Sequence, residues 1–205
     1  MRRFLPAGVL VVLGLSLLGL SGCSSSPPTR FYVVPSLSAA DAAPAAAQRD
    51  VTIGVGPVTL PSYLDRSQIV TRASRARLLL GEFDQWAASL QDAVPRVLAE
   101  NLSLLIPTDR VVLHPWARTT EPDYQVTVDV TQFDRGAGSE VVLAVRWSIV
   151  GANGQTLVMR KSRFTAAAGG QEYEATVTAM GQTLDAFSRD IAAALLTVPP
   201  PAPTR

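Results

Sequence analysis

The feature that most constrains this chain is an uncharged apolar run near its N-terminus, which ends at the only cysteine of the sequence. Arg2 and Arg3 precede the run, residues 4–20 are almost wholly apolar, and no charged residue follows until Arg30. A short basic start, an apolar core and then small residues are the three parts of a secretory signal peptide. A transmembrane anchor is the alternative, because about 17–25 apolar residues span a bilayer. In either case the folded domain begins after this run.

The end of the run favours a signal peptide. Leu20-Ser21-Gly22-Cys23 is followed by the polar residues 24–28, and this ending resembles the lipobox of bacterial lipoprotein precursors. The resemblance implies that the Cys23 thiol takes a diacylglycerol and that the chain is cleaved between Gly22 and Cys23. Ser24, rather than Asp, follows the cysteine, which by resemblance to enteric lipoproteins favours the outer membrane. The alternative, a buried structural cysteine, would need a core that this Ser-rich segment does not offer.

The composition along the chain divides it into four segments. We predict a removed signal peptide over 1–22, a lipidated tether over 23–29, one domain over 30–198 and a disordered Pro-rich tail over 199–205. Within the domain, residues 36–49 are rich in alanine and poor in large apolar side chains, which predicts a flexible loop. Because the tether is short, we expect the domain to lie close to its membrane.

Charge and cysteine content exclude several classes of protein. The chain has 18 basic and 17 acidic side chains, whereas nucleic-acid-binding domains normally carry a basic excess. One cysteine and one histidine permit neither an intrachain disulfide nor a zinc site with several Cys and His ligands. We therefore expect no nucleic-acid partner, no metal and no cofactor beyond the covalent lipid on Cys23.

Alternating and β-rich segments predict a sheet that is mainly antiparallel. The predicted strands are residues 31–34, 51–58, 68–71, 75–80, 126–131, 140–150 and 156–164. Two pairs of these strands form hairpins, one around Ala73-Ser74 and one around Gly151-Ala152-Asn153-Gly154, where the Asn-Gly pair favours a tight turn.

Two longer segments carry apolar residues at helical spacing. Residues 84–106 have such a stripe, in which Pro95 is expected to kink or divide the helix. The second stripe consists of Tyr173, Val177, Met180, Leu184, Phe187, Ile191 and Leu195. It predicts a helix along one side of the sheet, with a partner-binding helix as the alternative. The fold class is therefore α+β, a mainly antiparallel sheet with two long helices packed on one face.

The sequence contains no recognisable catalytic constellation. His114 is the only histidine and has no cysteine partner, so we assign it a structural or surface role. Residues 54–57 resemble half of a dinucleotide-binding loop but lack its third glycine, and their glycines are interpreted as permitting a bulge or close packing. Glu121 and Asp123 are interpreted as solvated loop carboxylates. We predict that the protein is not an enzyme.

The most informative internal segment spans residues 55–72, VGPVTLPSYLDRSQIVTR. It resembles the signature of the PqiC family, the ABC-type transport auxiliary lipoproteins also known as YmbA. Further similarities, in order along the chain, are the lipobox at Cys23, RFYVVPSL at 30–37, LAENL at 98–102 and IAAAL at 191–195. Two departures, the Ala-rich insertion before Asp50 and Pro95 in the first helix, concern helix geometry rather than the family.

The resemblance implies a role in lipid traffic across the cell envelope. Family members serve as outer-membrane lipoprotein partners of MCE-domain proteins, whose tubes carry phospholipid-like cargo between the inner and outer membranes. By this resemblance Cys23 anchors the chain at the periplasmic face of the outer membrane, and the domain docks the end of the tube without catalysing a reaction. An envelope assembly lipoprotein and a periplasmic lipid carrier are the alternatives, and self-association of the domain is left open.

The candidate contacts with a partner lie in and after the signature segment: Tyr63, Leu64, Arg66, Arg72, Arg75 and Arg77. Arg75 and Arg77 are predicted to share one face of a strand. We expect the arginines to bind acidic lipid headgroups or an acidic protein surface through charge-assisted hydrogen bonds. The alternatives are that the arginines protect an edge strand from aggregation and that Tyr63 is a buried corner.

Overall fold

The computed structural model of the chain describes residues 26–42 and 50–200. The predicted signal peptide, Cys23 and residues 201–205 of the predicted tail lie outside these ranges. Within them, no helix is long and apolar enough to cross a membrane.

The described residues form eight strands and two long helices. The strands are β1 (Arg30–Tyr32), β2 (Ile53–Thr59), β3 (Gln68–Arg72), β4 (Leu78–Trp86), β5 (Val111–Leu113), β6 (Tyr124–Arg135), β7 (Glu140–Gly151) and β8 (Thr156–Ala167). The helices are α1 (Leu90–Leu105) and α2 (Tyr173–Thr197), and short 3₁₀ turns cover Ala39–Asp41 and Ser62–Leu64.

The sheet is organised around β6. One edge of β6 pairs antiparallel with β7, which pairs antiparallel with β8. The other edge pairs in parallel with β2 and, further along, with β3 at Thr71 and Arg135. β4 is antiparallel to β3, while β1 and β5 add short parallel pairs beside β4 and β2. The prediction of a mainly antiparallel α+β fold is confirmed, and the parallel pairs, which join segments far apart in sequence, were not predicted.

Both predicted hairpins are present. β7 and β8 are joined by residues 152–155, where Gly154 has a φ of 77° that only glycine adopts without strain. β3 and β4 are joined by residues 73–77, so β4 begins at Leu78, three residues later than the prediction. This shift moves Arg75 and Arg77 from a strand into a loop, and the prediction that they share a strand face is wrong.

Both helices contact each other and the sheet, and the core lies between them and β2, β6 and β7. The valines predicted to alternate on β6, Val126, Val128 and Val130, are buried there. The predicted stripe of α2 is also buried, apart from the half-buried Tyr173. Core packing therefore accounts for this stripe.

The first helix is shorter than predicted. It begins at Leu90, after Ser89, whose hydroxyl accepts a hydrogen bond from the backbone N–H of Asp92 at 3.2 Å. Trp86, which was predicted to be part of the helix, is the last residue of β4. Its position in the sequence matches the helical spacing only by coincidence. Pro95 lies inside one undivided helix, so of the two expected effects, a kink or a division, the division does not occur. The helix is held by the burial of its apolar stripe.

The segment after β1, residues 33–42, packs across the two helices. Val34 and Leu37 are buried, and the backbone N–H of Leu37 donates to Asn101 Oδ1 at 2.7 Å. Arg189 of α2 donates to the carbonyl oxygen of Asp41 at 2.7 Å. Residues 36–42 of the predicted flexible loop are therefore held against α1 and α2, and residues 43–49 lie outside the described ranges.

Candidate partner-docking surface

Tyr63 and Arg72 meet at one buried carboxylate, that of Asp134 on β6. Asp134 is 0% exposed, and Arg72 binds it through Nε to Oδ1 at 3.1 Å and through Nη2 to Oδ2 at 2.8 Å. The Tyr63 hydroxyl donates to Oδ2 at 2.8 Å, and Gln132 Nε2 donates to Oδ1 at 2.9 Å. The guanidinium of Arg72 also lies 5.6 Å from the centre of the Tyr63 ring. The cluster joins the 3₁₀ turn after β2, strand β3 and strand β6.

The environment of Tyr63 favours its neutral form. Burial, followed by the hydrogen bond to the Asp134 carboxylate, raises the pKa of the Tyr63 phenol to about 12. The hydroxyl is thus a fixed hydrogen-bond donor, which offsets part of the desolvation free energy of the buried Asp134 carboxylate. This geometry fits the buried-corner alternative for Tyr63.

Leu64 and Arg66 follow Tyr63 but differ in exposure. Leu64 is 2% exposed and belongs to the core, so its side chain offers no surface to a partner. Arg66 is exposed, and its side chain has no ion pair or hydrogen bond within the described residues. It lies beside a surface cleft of about 310 Å³ that Trp86 and Ser89 also line.

The exposed arginines do not form one surface. Arg66 precedes β3, whereas Arg75 and Arg77 lie in the loop after its last residue, Arg72. Both loop arginines are exposed, and neither side chain has an ion pair or hydrogen bond in the described part of the chain. Arg66 and the two loop arginines are therefore separate candidates at opposite ends of one strand.

A second buried carboxylate, which sequence reasoning missed, lies where the first strand joins the sheet. Asp84 of β4 is 4% exposed and accepts from Arg30 Nε at 2.8 Å, Arg30 Nη2 at 3.0 Å and the Tyr32 hydroxyl at 2.8 Å. Burial raises the pKa of the Asp84 carboxyl, but the hydrogen bonds from Arg30 and Tyr32 and the charge of Arg30 outweigh it and leave the pKa below its ordinary value. The ion pair between Arg30 and Asp84 fixes the chain just after the predicted tether.

The glycine-proline part of the signature is a packing element. A Cβ on Gly54 would lie 2.8 Å from the ring of Trp116, and one on Gly56, whose φ is 116°, would lie 2.7 Å from Cβ of His114. The pairing of β2 with β6 shifts register between Val55 and Val58. The prediction that these glycines permit close packing and a bulge is confirmed.

The same stretch lines an open cleft of about 360 Å³ between β2, the first turns of α1 and the end of β5. Gly56, Pro57, Val58, Gln91, Arg96 and His114 are among its lining residues. The Gln91 side chain closes one wall by donating to the carbonyl oxygen of Val58 at 2.6 Å. His114 is exposed and packs edge-on against Trp116, with ring centres 5.3 Å apart.

The carboxylates flanking Pro122 differ in environment. Glu121 is exposed, as predicted. Asp123 Oδ2 accepts from the backbone N–H of Thr52 at 2.7 Å, so this carboxylate ties the loop to the start of β2 instead of being solvated alone. Among the described residues, no three His, Cys, Asp or Glu side chains are grouped so that they could hold a metal ion.

A family model described as "ABC-type transport auxiliary lipoprotein component" matches residues 32–192. Intermembrane transport lipoprotein PqiC of Escherichia coli K12 is 25% identical over 133 residues, which cover 65% of this chain and 70% of that protein. PqiC of Shigella flexneri matches with the same identity and coverage. Residues 32–192, which the family model matches, contain every member of the two buried carboxylate clusters except Arg30.

A crystal structure of a protein from Xanthomonas campestris has the same fold. Its TM-score is 0.68 at 15% sequence identity, and the alignment covers 82% of this chain and 95% of that one. At this level of identity the likeness concerns the fold alone.

Proposed function

Because this chain belongs to the family of ABC-type transport auxiliary lipoprotein components, we propose that it is the outer-membrane lipoprotein of an intermembrane lipid transporter. Cys23 carries the lipid anchor on the periplasmic face, and the domain docks the end of an MCE-domain tube. The observation that carries the proposal is the family match over 32–192, which starts nine residues after the lipobox cysteine. Anchor and domain thus follow each other as an anchored docking module requires.

We propose that the domain acts by binding and not by catalysis. The two buried carboxylates of the described residues hold elements together: Asp134 joins β6 to β3, and Asp84 joins β4 to β1. Asn101 of α1 donates to Asp185 Oδ1 and Ser188 Oγ of α2 at 2.9 and 3.1 Å. These contacts give the carboxylates and the amide structural roles and keep the docking module rigid.

Of the six candidate contacts, Arg66 is the one we propose for the protein partner. Leu64 is buried, and Tyr63 and Arg72 already bind Asp134. Arg66 is exposed beside a cleft, where its guanidinium can form charge-assisted hydrogen bonds with carboxylates of another protein. We also propose that the domain can self-associate, since a contact through Arg66 leaves the rest of its surface available.

Lipidation and location are tested together on cells that express the full chain. We expect the wild type to incorporate labelled palmitate and to sediment with the outer membrane. Cys23→Ser should lose the label and leave the outer-membrane fraction, while Ser26→Ala, a change in the same tether, should alter neither. An unlabelled wild-type chain, or a Cys23→Ser chain that still sediments with the outer membrane, would refute the anchor.

The protein contact is tested by charge reversal at Arg66. Arg66→Glu should lower the yield of a chemical crosslink to the MCE-domain protein, because it replaces an attractive charge with a repulsive one. Arg163→Glu is the matched control, since Arg163 is also an exposed arginine and lies on β8. Equal crosslinking of both variants would argue against Arg66 as the contact.

An envelope assembly lipoprotein would share the anchor and the fold, and it would crosslink to a β-barrel or secretin component instead. A periplasmic lipid carrier would need an apolar cavity of several hundred Å³. The cleft beside Gly56 is open to solvent and has Arg96 and Asp92 in its lining, which favours a surface contact over an enclosed lipid. Lipid that stays bound to the purified domain would support the carrier instead.

A further inference from the structure

The direction in which the chain enters the sheet shows which end of the domain faces the anchor. β1 runs parallel to β4, with Arg30 opposite Asp84. β4 starts at Leu78, directly after the loop of residues 73–77 that joins it to β3. Since parallel strands start at the same end, the chain enters β1 from the end of β4 at which this loop lies. We call residues 73–77 the hairpin loop.

The length of the tether matches the remaining length of β4. Seven residue steps separate Cys23 from Arg30, which is at most about 25 Å of extended chain. Six steps along β4, from Asp84 back to Leu78, span about 20 Å at the rise of a strand. A tether of this length can therefore reach the level of the hairpin loop.

The surface at this end has the chemistry of a membrane contact. Arg75 and Arg77 are exposed in the hairpin loop, and within the described residues their side chains have neither an ion pair nor a hydrogen bond. Leu79 and Leu80 follow at once and are 49% and 46% exposed, although they belong to a strand of the sheet. Cationic side chains next to exposed leucines suit the boundary between phospholipid headgroups and acyl chains.

Acidic residues limit the size of this contact. Glu82 is exposed on β4, Glu140 at the start of β7, and Glu172 and Glu174 beside the first turn of α2. None of these four carboxylates belongs to the hairpin loop. The basic contact is therefore confined to the hairpin loop and does not cover the whole end of the domain.

We propose that the hairpin loop and Leu79–Leu80 form a membrane-contact site for anionic phospholipid headgroups, which holds the domain upright on its bilayer. This inference rests on the proposed lipidation of Cys23. Arg75 and Arg77 bind headgroup phosphates through charge-assisted hydrogen bonds, and basic groups at an anionic surface strengthen attachment that begins with the acyl chains. The turn between β7 and β8, residues 152–155, then lies at the end of the sheet away from the membrane.

The experiment uses the full lipidated chain with one new thiol at either end. Ala76→Cys places it in the hairpin loop and Ala152→Cys in the opposite turn, and both alanines are exposed. In the lipidated chain that the experiment requires, the Cys23 sulfur is a thioether and does not react with a thiol reagent. A polarity-sensitive fluorophore is attached, and the protein is reconstituted in vesicles of phosphatidylethanolamine and phosphatidylglycerol with brominated acyl chains. We expect blue-shifted, quenched emission from position 76 and neither effect at position 152.

Charge reversal then tests the headgroup contact itself. Arg75→Glu combined with Arg77→Glu should abolish the quenching at position 76, and so should omission of phosphatidylglycerol, while the protein still floats with the vesicles. The exposed pair Arg118→Glu and Arg163→Glu is the matched control and should leave the quenching intact.

Four outcomes would overturn the inference. Equal quenching at positions 76 and 152 would show that the domain has no fixed orientation. Shielding of position 76 only after envelope proteins are added would assign the hairpin loop to a protein partner. Loss of flotation by the unmutated chain would remove the anchor proposal and this inference together, whereas flotation with unquenched position 76 would remove this inference alone.

Discussion

At the scale of single residues, the signature segment owes its form to a carboxylate that lies outside it. Asp134 on β6 is inaccessible to solvent and holds Tyr63, in the turn after β2, and Arg72, the last residue of β3. A charge buried in this way is tolerated only when its oxygens accept several hydrogen bonds, and Asp134 accepts four. The tyrosine and arginine of the segment are therefore explained by packing before any partner is considered.

The buried ion pair predicts a large effect on stability. Asp134→Ala leaves the half-buried Arg72 cation and the Tyr63 hydroxyl without their acceptor, and we expect a loss of about 3–5 kcal/mol in the free energy of unfolding. Urea denaturation followed by tryptophan fluorescence measures it. Asp129→Ala removes an exposed pair with Arg146, separated by 3.6 Å, and should cost less than about 1 kcal/mol. Similar losses in the two variants would contradict the role given to Asp134.

The Tyr63 phenol predicts a pH dependence in the alkaline range. Its pKa of about 12 in the folded chain lies above the value of about 10 for an unfolded tyrosine. The unfolded chain thus loses this proton first, so the contribution to stability is complete below pH 10 and falls as the pH rises toward 12. Tyr63→Phe should reduce the dependence of the unfolding free energy on pH between pH 10 and 12. If this pH dependence is unchanged in the variant, Tyr63 is not its cause.

Residue-level interpretation from sequence was limited by long-range contacts. The glycines at 54 and 56 could be interpreted correctly, because a glycine in a strand pattern indicates a local bulge or close approach. Asp134 was not singled out, since nothing near it in sequence shows that Tyr63, 71 residues earlier, would bind it. The two adjacent polar residues Thr131 and Gln132, where β6 changes register, were the available signal.

At the scale of elements, the segment after β1 ties the two helices together. Gly181 of α2 lies against Pro35, and Asn101 of α1 accepts from the backbone of Leu37 while donating to α2. The segment is thus part of the folded domain.

The contact at Gly181 reverses the usual effect of replacing a helix glycine. Alanine ordinarily stabilises a helix by roughly 0.5–1 kcal/mol relative to glycine. At position 181 its Cβ would lie 2.6 Å from Cγ and 3.0 Å from the carbonyl oxygen of Pro35. We expect Gly181→Ala to destabilise the domain by about 1–3 kcal/mol through overpacking and to expose residues 34–42 to proteolysis.

Gly169→Ala is the control, since a Cβ there meets nothing within 4 Å. Thermal unfolding of both variants and limited proteolysis with N-terminal sequencing provide the comparison. If the Gly181→Ala variant is as stable as the wild type, residues 34–42 can move away from the added Cβ with no loss of folding free energy.

Elements with local signals were predictable, and those set by distant partners were not. The Asn-Gly turn identified β7 and β8, and the apolar stripe identified α2, because each signal lies within the element itself. The boundary between β4 and α1 was misplaced, since Trp86 fits the helix spacing but pairs with Tyr32 of β1 as strand. Ser89 was the local signal for the true start of the helix.

At the scale of the molecule, the fold class followed from the sequence, while the arrangement of the strands did not. Hairpins predict antiparallel neighbours, but β2 and β3 both lie along one edge of β6, which no turn signal indicates. The position of the six candidate contacts depends on this arrangement. Strand β3 separates Arg66, which precedes it, from Arg75 and Arg77, which follow it.

We propose that this chain is the anchored docking module of an MCE-type lipid transporter. The direct measurement is crosslinking in living cells, followed by isolation of the full lipidated chain and identification of its partners by mass spectrometry. We predict that an MCE-domain protein is the main crosslinked partner and that Cys23→Ser greatly reduces its yield. A β-barrel or secretin assembly component in its place, or recovery of the MCE-domain protein without any dependence on Cys23, would refute the proposed docking function.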